Sequence, residues 1–507
     1  MSKFIEKLKE SPITIPVFLL VICVLAYGLL IPALGYYWDD WPYAWINHKF
    51  GPLGYIDFVA SDRPYSAWIF VALSFLLGEN PVGYHIVALL LYWLSAVLFW
   101  RLLQILWPAY KRESFWAALL FAVYPGFLGH PNAIIYNHHF IAMALYFISF
   151  IATVRAVKAH LAGKPAWGIL PWHFLGLGAM SLSQFSIEYF LGWEAARPVL
   201  IWVVLRQSKG FQGGSLKSLL FHAWPYWLGT SAFFVWRILI FQFPTYQPVE
   251  LNGAELLSVQ WVLAILLQIM DVLFVAWGRI FTSIPGWDYS QRFWLLYGII
   301  SLLTAAAVYG ILRVWSPNQP GKKIQGSTAE QKFAWPALAI ALTGILFAGW
   351  PFWLTELRVR IEGPFFSRFT LAFIPWAALF LTILLHFLSR LRVRWQHVTI
   401  PVLVALLVGG STGYHLSNAN LFRNDWQEVQ RYFYQLTRRI PDLTPGATLL
   451  INDMRFLEVY SDNSLTAILN WTYSPDNRST EMDYMMYYQS VRLGRDLPDL
   501  APGLPIE

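Results

Sequence analysis

The sequence predicts an all-α polytopic membrane protein with a small mixed α/β segment at its C-terminal end. Three observations lead there. Of the 507 residues, 57% are hydrophobic and 13% charged, roughly half the charge of an ordinary soluble domain, and mean hydropathy is +0.47. Apolar runs close to the roughly 20 residues a bilayer-spanning helix needs recur along the chain. The basic residues fall in short clusters between those runs, as they do in loops retained on the cytoplasmic side.

Eleven runs are expected to span: 13–35, 83–106, 113–130, 134–157, 166–184, 186–205, 219–242, 293–314, 333–355, 369–389 and 397–418. The first is too long for the apolar core of a signal peptide and lacks a small-residue cleavage site, so it reads as a retained span. Two more apolar segments differ in kind. Residues 65–78, YSAWIFVALSFLLG, are short for a span, and 257–283 carries Asp271 and Arg279 and ends at IPG.

Charge placement arbitrates between the topologies. With the N-terminus inside and both of those segments in the outer interface, the basic clusters from Lys3, Lys7 and Lys9 through Arg390, Arg392 and Arg394 all face the cytoplasm. Loops 36–82, 131–137, 243–292 and 356–368, and everything after 419, then lie outside. This is the topology of a multi-pass protein of a bacterial plasma membrane, N-terminus cytoplasmic and C-terminus extracytoplasmic. The net charge of +7 is accounted for by topology, and nucleic acid is not expected as a partner. Cys23, the sole cysteine, lies within the first run, which excludes disulfides and argues against thiolate chemistry.

Two domains are expected: a transmembrane domain over 1–419 and a small soluble extracytoplasmic domain over 420–507. The latter opens with a helical pattern, NDWQEVQRYFYQLTRR, whose apolar positions include Trp426, Val429, Phe433 and Leu436. The turn PDLTPG and a strand-like ATLLIND follow. Residues 316–332, rich in Pro, Gly and Lys, read as a cytoplasmic linker, and no internal repeat is visible.

Five stretches carry polar chemistry. GYYWDDWPYAW, 35–45, sets Asp39 and Asp40 among aromatic rings directly after the first span. Such a carboxylate can take a proton from an acceptor hydroxyl or bind Mg²⁺ or Mn²⁺, or it can simply mark the water boundary. SDRPYS with GENPVGYH supplies Arg63 and His85. HPNAIIYNHH supplies His130, Asn137 and His138 in a spacing that fits no zinc pattern, so a polar pocket lining is the expected role. Glu188 opens the stretch after SQFSI, and Glu194 beyond it pairs with Arg197 or serves a function in the membrane. WLTELRVRIEGPFFSRF places Arg358, Arg360 and Arg368 outside, against the chain's own charge pattern; arginine there suits a phosphate or diphosphate, or anionic headgroups.

Taken in order, these residues resemble the polytopic GT-C glycosyltransferases, and the GENPVGYH segment is most similar to bacterial relatives of the transmembrane and TPR-containing O-mannosyltransferases. The likeness covers about residues 10–200 and, more loosely, the rest of the membrane region. It implies a GT-C-like transmembrane domain that takes sugar from a polyprenyl-phosphate donor at the extracytoplasmic face and passes it to a glycan, lipid or protein acceptor. By this resemblance Asp39 or Asp40 is the catalytic acid–base residue or a metal ligand, the outer arginines grip the donor phosphate, and Arg63, His85, His130, Asn137, His138 and Glu188 are further pocket residues. No cofactor beyond an optional Mg²⁺ or Mn²⁺ follows from it. HPNAIIYN lacks the acidic residue often found there in the family, no TPR repeats follow, and the C-terminal segment differs, so the acceptor is not carried over. Two other readings remain: a lipid or glycan transporter or flippase, and an inactive GT-C-like scaffold subunit.

Overall fold

The structure is a computed structural model that describes residues 13–207, 215–241, 258–284, 291–315, 333–355, 357–390, 396–451, 456 and 461–488. Lys3, Lys7, Lys9, Lys209, Lys322, Lys323, Lys332, Arg392 and Arg394, the linker 316–332 and residues 243–257 and 285–290 of the loop 243–292 lie outside the described residues. The described chain is overwhelmingly helical, and eight of its helical segments are long and apolar enough to cross a membrane: Thr14–Ala33, Pro81–Leu106, Ala133–Leu161, Val259–Thr282, Gln291–Arg313, Ala334–Trp353, Gly363–Leu388 and Val398–Arg439.

The expected segments at 113–130, 166–184, 186–205 and 219–242 are helical but take other forms. The first stops at Ala122, ahead of Tyr124-Pro125-Gly126, where the residue before proline is pushed out of the helical region. The second is the helix Ala166–Ser186, with Pro171 inside its first turns. The third begins as a 3₁₀ stretch, Glu188–Ala195, before the helix Ala196–Gln207. The fourth is Ser215–Val235, closed by a π-turn over Trp236–Ile240. Conversely, 257–283, expected from the placement of the basic clusters to be re-entrant or juxtamembrane, contains Val259–Thr282, one of the eight. A π-turn at Asp271–Val275 joins its two helical parts, and Arg279 is paired with Glu362 at 3.2 Å and donates to the Ile361 carbonyl at 3.1 Å. Residues 64–77 form the short apolar helix expected there.

The chain divides into two compact units. One comprises Met1–Leu29, Leu89–Gly129 and His139–Asn418; the other comprises Leu30–Ala88, His130–His138 and Ala419–Glu507. The C-terminal segment thus shares a unit with the loop after the first span, and the boundary expected at 419/420 falls inside one unbroken 44-residue helix, Gln396–Arg439.

In the first unit, Arg197 is fully buried and held by Glu194 through two contacts, 2.7 and 2.6 Å. Nη1 donates to Thr153 Oγ1 at 2.5 Å, Nη2 donates also to Ser149 Oγ at 2.9 Å, and the guanidinium lies 3.9 Å from the Tyr226 ring centroid. The ion pair anticipated from EAAR is therefore formed, and every polar edge of the arginine is used.

In the second unit the apolar centre is Leu34, Tyr37 and Phe422, with Trp426 packed on it. Gly35 lets the backbone pass the Trp426 indole so closely that a Cβ there would collide with the ring. The aromatic residues Tyr36, Tyr37, Trp38, Trp41 and Trp45 are all buried, so the collar seen in the sequence is the core of this unit. Strands β1, Thr448–Ile451, and β2, Met485–Tyr488, pair in parallel from Thr448 opposite Met485 to Ile451 opposite Tyr488. Parallel strands need a crossover, and the helix Asp462–Tyr473 lies between them in the chain, opened by a Ser461–Ser464 capping box.

Candidate active site

The turn at Tyr37–Asp40 sets the geometry. Trp38 has φ +45°, the only positive φ at a non-glycine among the described residues. A bulky side chain in that region is strained and persists only where its surroundings over-determine it. Here the Asp40 amide donates to the Tyr37 carbonyl at 2.9 Å, the Trp41 amide donates to the Trp38 carbonyl at 3.1 Å, and Ser464 Oγ donates to that same Trp38 carbonyl at 3.0 Å. The chain then enters the helix Asp40–Phe50, with Asp39 at its N-cap position.

This turn separates the two carboxylates. Asp40 is fully buried, and its Oδ1 accepts the Ile135 amide at 2.9 Å. Ile135 is the third residue of the helix Ala133–Leu161, the position whose amide an N-cap side chain ordinarily satisfies. Asn132, the residue preceding that helix, is of a good capping type, yet both of its side-chain polar atoms are buried without a hydrogen-bond partner among the described residues. Asp40 therefore caps a helix from a distant part of the sequence. Burial pushes its carboxyl well above the ordinary range; the Ile135 amide opposes this and the neighbouring Asp39 charge adds to it. Asp39, by contrast, is only half-buried.

Tyr43 lies within electrostatic reach of Asp39, Asp62 and Arg63. Burial pushes the Tyr43 phenol up, with the Asp39 charge next in size, Arg63 opposing and Asp62 adding. Arg63 and Asp62 are paired at 2.6 Å. The Tyr43 ring packs 4.6 Å from Phe70 and 5.0 Å from Phe58, centroid to centroid. His138 is buried 5.1 Å from the same Phe70, within electrostatic reach of Arg63. Phe70 thus packs against both Tyr43 and His138, and Arg63 acts electrostatically on both; a carboxylate with such neighbours is of the type that takes a proton from a hydroxyl.

The other expected pocket residues take more structural places. His85 hydrogen-bonds through Nε2 to the Gly35 carbonyl at 2.9 Å, fixing the chain just before the turn. Asn137 donates to the Tyr84 carbonyl at 3.2 Å. His130 is half-buried in the loop ahead of the Ala133–Leu161 helix. Asp39, Asp40, Arg63, His85, His130, Asn137 and His138 all belong to the second unit, whereas Glu188, Arg358, Arg360 and Arg368 belong to the first.

In the first unit, Glu188 pairs with Arg237 at 3.1 Å. Arg358 is exposed, Arg360 lies 4.9 Å from the Phe366 ring centroid, and Arg368 is flanked by Phe365 at 4.1 Å and Phe369 at 4.7 Å. Gln268 Oε1 accepts the Val359 amide at 2.7 Å and Trp353 Nε1 at 3.2 Å, anchoring the segment that carries Arg358 and Arg360. Stacking on aromatic faces fixes the plane of a guanidinium.

No group of three or more His, Cys, Asp or Glu side chains arranged to hold a metal occurs among the described residues, and the turn at Trp38 gives Asp39 and Asp40 different surroundings. Sequence reading passed over Tyr43, Asp62 and Asn132, and saw Trp38 only as a ring flanking the acidic pair. Asp62 was visible beside Arg63 in SDRPYS; the backbone strain at Trp38 had no sequence signal, since glycine or asparagine is the usual marker of a positive φ. Compared with known proteins, the chain matches no family model, no curated protein and no solved structure.

Proposed function

We propose that this protein is a glycosyltransferase that moves a sugar from a polyprenyl-phosphate donor to an acceptor hydroxyl at the extracytoplasmic membrane face, with Asp39 as general base. The observation that carries the reading is the division of the Asp39–Asp40 pair by the strained turn at Trp38: one carboxylate caps a helix and the other stands half-buried within electrostatic reach of Tyr43, whose phenol also feels Arg63 and Asp62.

In the reaction, the acceptor oxygen attacks the anomeric carbon of the donor while Asp39 takes its proton. The bond from that carbon to the phosphate oxygen breaks, and its electron pair leaves with the lipid phosphate. Preorganised cations stabilise charge as it develops on such a phosphate, the role that the GT-C resemblance gives to Arg358, Arg360 and Arg368. Arg63 fixes Asp62 and the field around Asp39. The eight long apolar helices support a membrane-borne donor, and the GT-C resemblance supports the reaction class.

The test is to purify wild type and Asp39→Asn in mild detergent and identify co-purifying lipids by mass spectrometry. A polyprenyl-phosphate sugar enriched on the variant, together with lost transfer to acceptor, is the expected result. Absence of polyprenyl lipid from both proteins while ordinary phospholipid is retained overturns the reading. Substrate flux in proteoliposomes would then favour a transporter, and loss of a partner complex on removing 420–507 would favour a scaffold subunit.

A further inference from the structure

Away from the Asp39 site, the first unit contains a pocket of about 450 Å³ lined by Arg101, Gln104, Ile105, Arg155, Lys158 and Trp172 among others. It lies where the last turns of the helices Pro81–Leu106 and Ala133–Leu161 meet the early part of Ala166–Ser186. Three cations face it and its lining includes no carboxylate. Like charges gathered without a counter-charge repel one another, so the arrangement costs free energy unless an anion enters.

The details point to an oxyanion. Gln104 Nε2 is buried and has no hydrogen-bond partner among the described residues, an N–H donor left for an acceptor the protein does not supply. Lys158 Nζ donates to the Ile105 carbonyl, which fixes the ammonium and leaves its remaining N–H bonds free to turn inward. The Arg155 guanidinium lies 5.3 Å from the Trp172 ring centroid, steadied by the indole. Beside it, the helix bearing Trp172 exposes the large apolar side chains Trp167, Leu170 and Phe174, a surface for hydrocarbon.

From this we infer that the pocket binds the phosphate of an anionic glycerophospholipid, with Arg101, Arg155, Lys158 and Gln104 on the headgroup and the exposed face of Ala166–Ser186 along the acyl chains. Basic pockets between membrane helices recognise such headgroups. The charge pattern of the chain places this one in the cytoplasmic leaflet.

The test uses the full chain in a neutral detergent, with lipid retention read by native mass spectrometry and melting followed in parallel. Wild type is expected to retain phosphatidylglycerol over phosphatidylcholine and to melt higher in its presence. In Arg101→Gln/Arg155→Gln, retention falls roughly thirtyfold, about fivefold for each charge removed. Gln104→Leu, which keeps the charges, also weakens retention and keeps the inference decidable where the double variant does not fold. Equal retention of the two lipids by wild type, or equal phosphatidylglycerol retention by wild type and Gln104→Leu, overturns it. Inorganic phosphate that raises wild-type melting by itself, with phosphatidylglycerol adding nothing, overturns the lipid source in favour of free phosphate.

Discussion

Substitution at position 40 should cost stability, and substitution at position 39 should cost activity. Asp40→Ala removes the acceptor for the Ile135 amide. Loss of a helix cap costs about 1 kcal/mol, and a buried amide left unsatisfied costs about 1–3 kcal/mol; because these overlap, about 2–3 kcal/mol is expected. Asp40→Asn keeps an acceptor oxygen and resembles the protonated carboxyl that burial already favours, so its cost stays below about 1 kcal/mol. Asp39→Asn, at a half-buried site, should change stability by no more than about 0.5 kcal/mol while transfer falls by about 10²–10⁴-fold. The assay pairs heat-induced loss of the monodisperse peak in detergent with sugar transfer from a polyprenyl-phosphate donor. The pH dependence has a definite sign. A carboxyl whose pKa is raised on folding stabilises fully below its unfolded value, about 3.9, and that contribution is lost as pH rises through the higher folded value. Asp40→Asn should flatten this component. An Asp40→Ala protein as stable as wild type, or Asp39→Asn and Asp40→Asn losing transfer equally at unchanged stability, would refute the division of roles.

Other outcomes follow from individual contacts. Arg197→Met strands the buried Glu194 carboxylate and should destabilise by about 3–5 kcal/mol, whereas Glu194→Gln/Arg197→Met should cost clearly less; thermal melting of the two variants decides. Gly35→Ala drives a methyl into Trp426, with about 1–3 kcal/mol of overpacking strain that Trp426→Leu partly relieves, read as recovered melting temperature. Arg368→Ala, which vacates the place between Phe365 and Phe369, should raise the KM for donor about tenfold, and Arg368→Lys should not restore it because an ammonium offers no planar edge. Unchanged donor KM would remove Arg368 from the phosphate site.

The spans that were legible were those where length and apolarity act alone. Thr14–Ala33 and Gly363–Leu388 needed nothing but a continuous run. The apolar run at 113–130 misled because hydrophobicity continues through Tyr124-Pro125-Gly126 while the helix does not, a backbone effect that a hydropathy reading does not weigh. At 257–283 the placement of the basic clusters argued for the outer interface, whereas the helix is long and apolar enough to cross, and its Arg279 meets Glu362, a partner 83 residues distant. The candidate site divides similarly. Asp39, Asp40, Arg63 and His138 were visible as residue types near aromatic rings. Which aspartate is buried was not, because that depends on Ile135, a residue with no chemical signature of its own. The same holds for His85, whose imidazole reads as a candidate base and is spent on the Gly35 carbonyl.

The distant cap also bears on how such a chain can change over time. Asn132 already occupies the position from which a helix is normally capped, and its amide is idle among the described residues. A lineage in which residue 132 took over the Ile135 amide would release position 40 from its duty, and an apolar residue could then settle there without loss. Position 39 has no such understudy. Over long divergence the acidic pair should therefore erode from its second member, in step with the residue at 132, and two neighbouring aspartates would carry quite different histories.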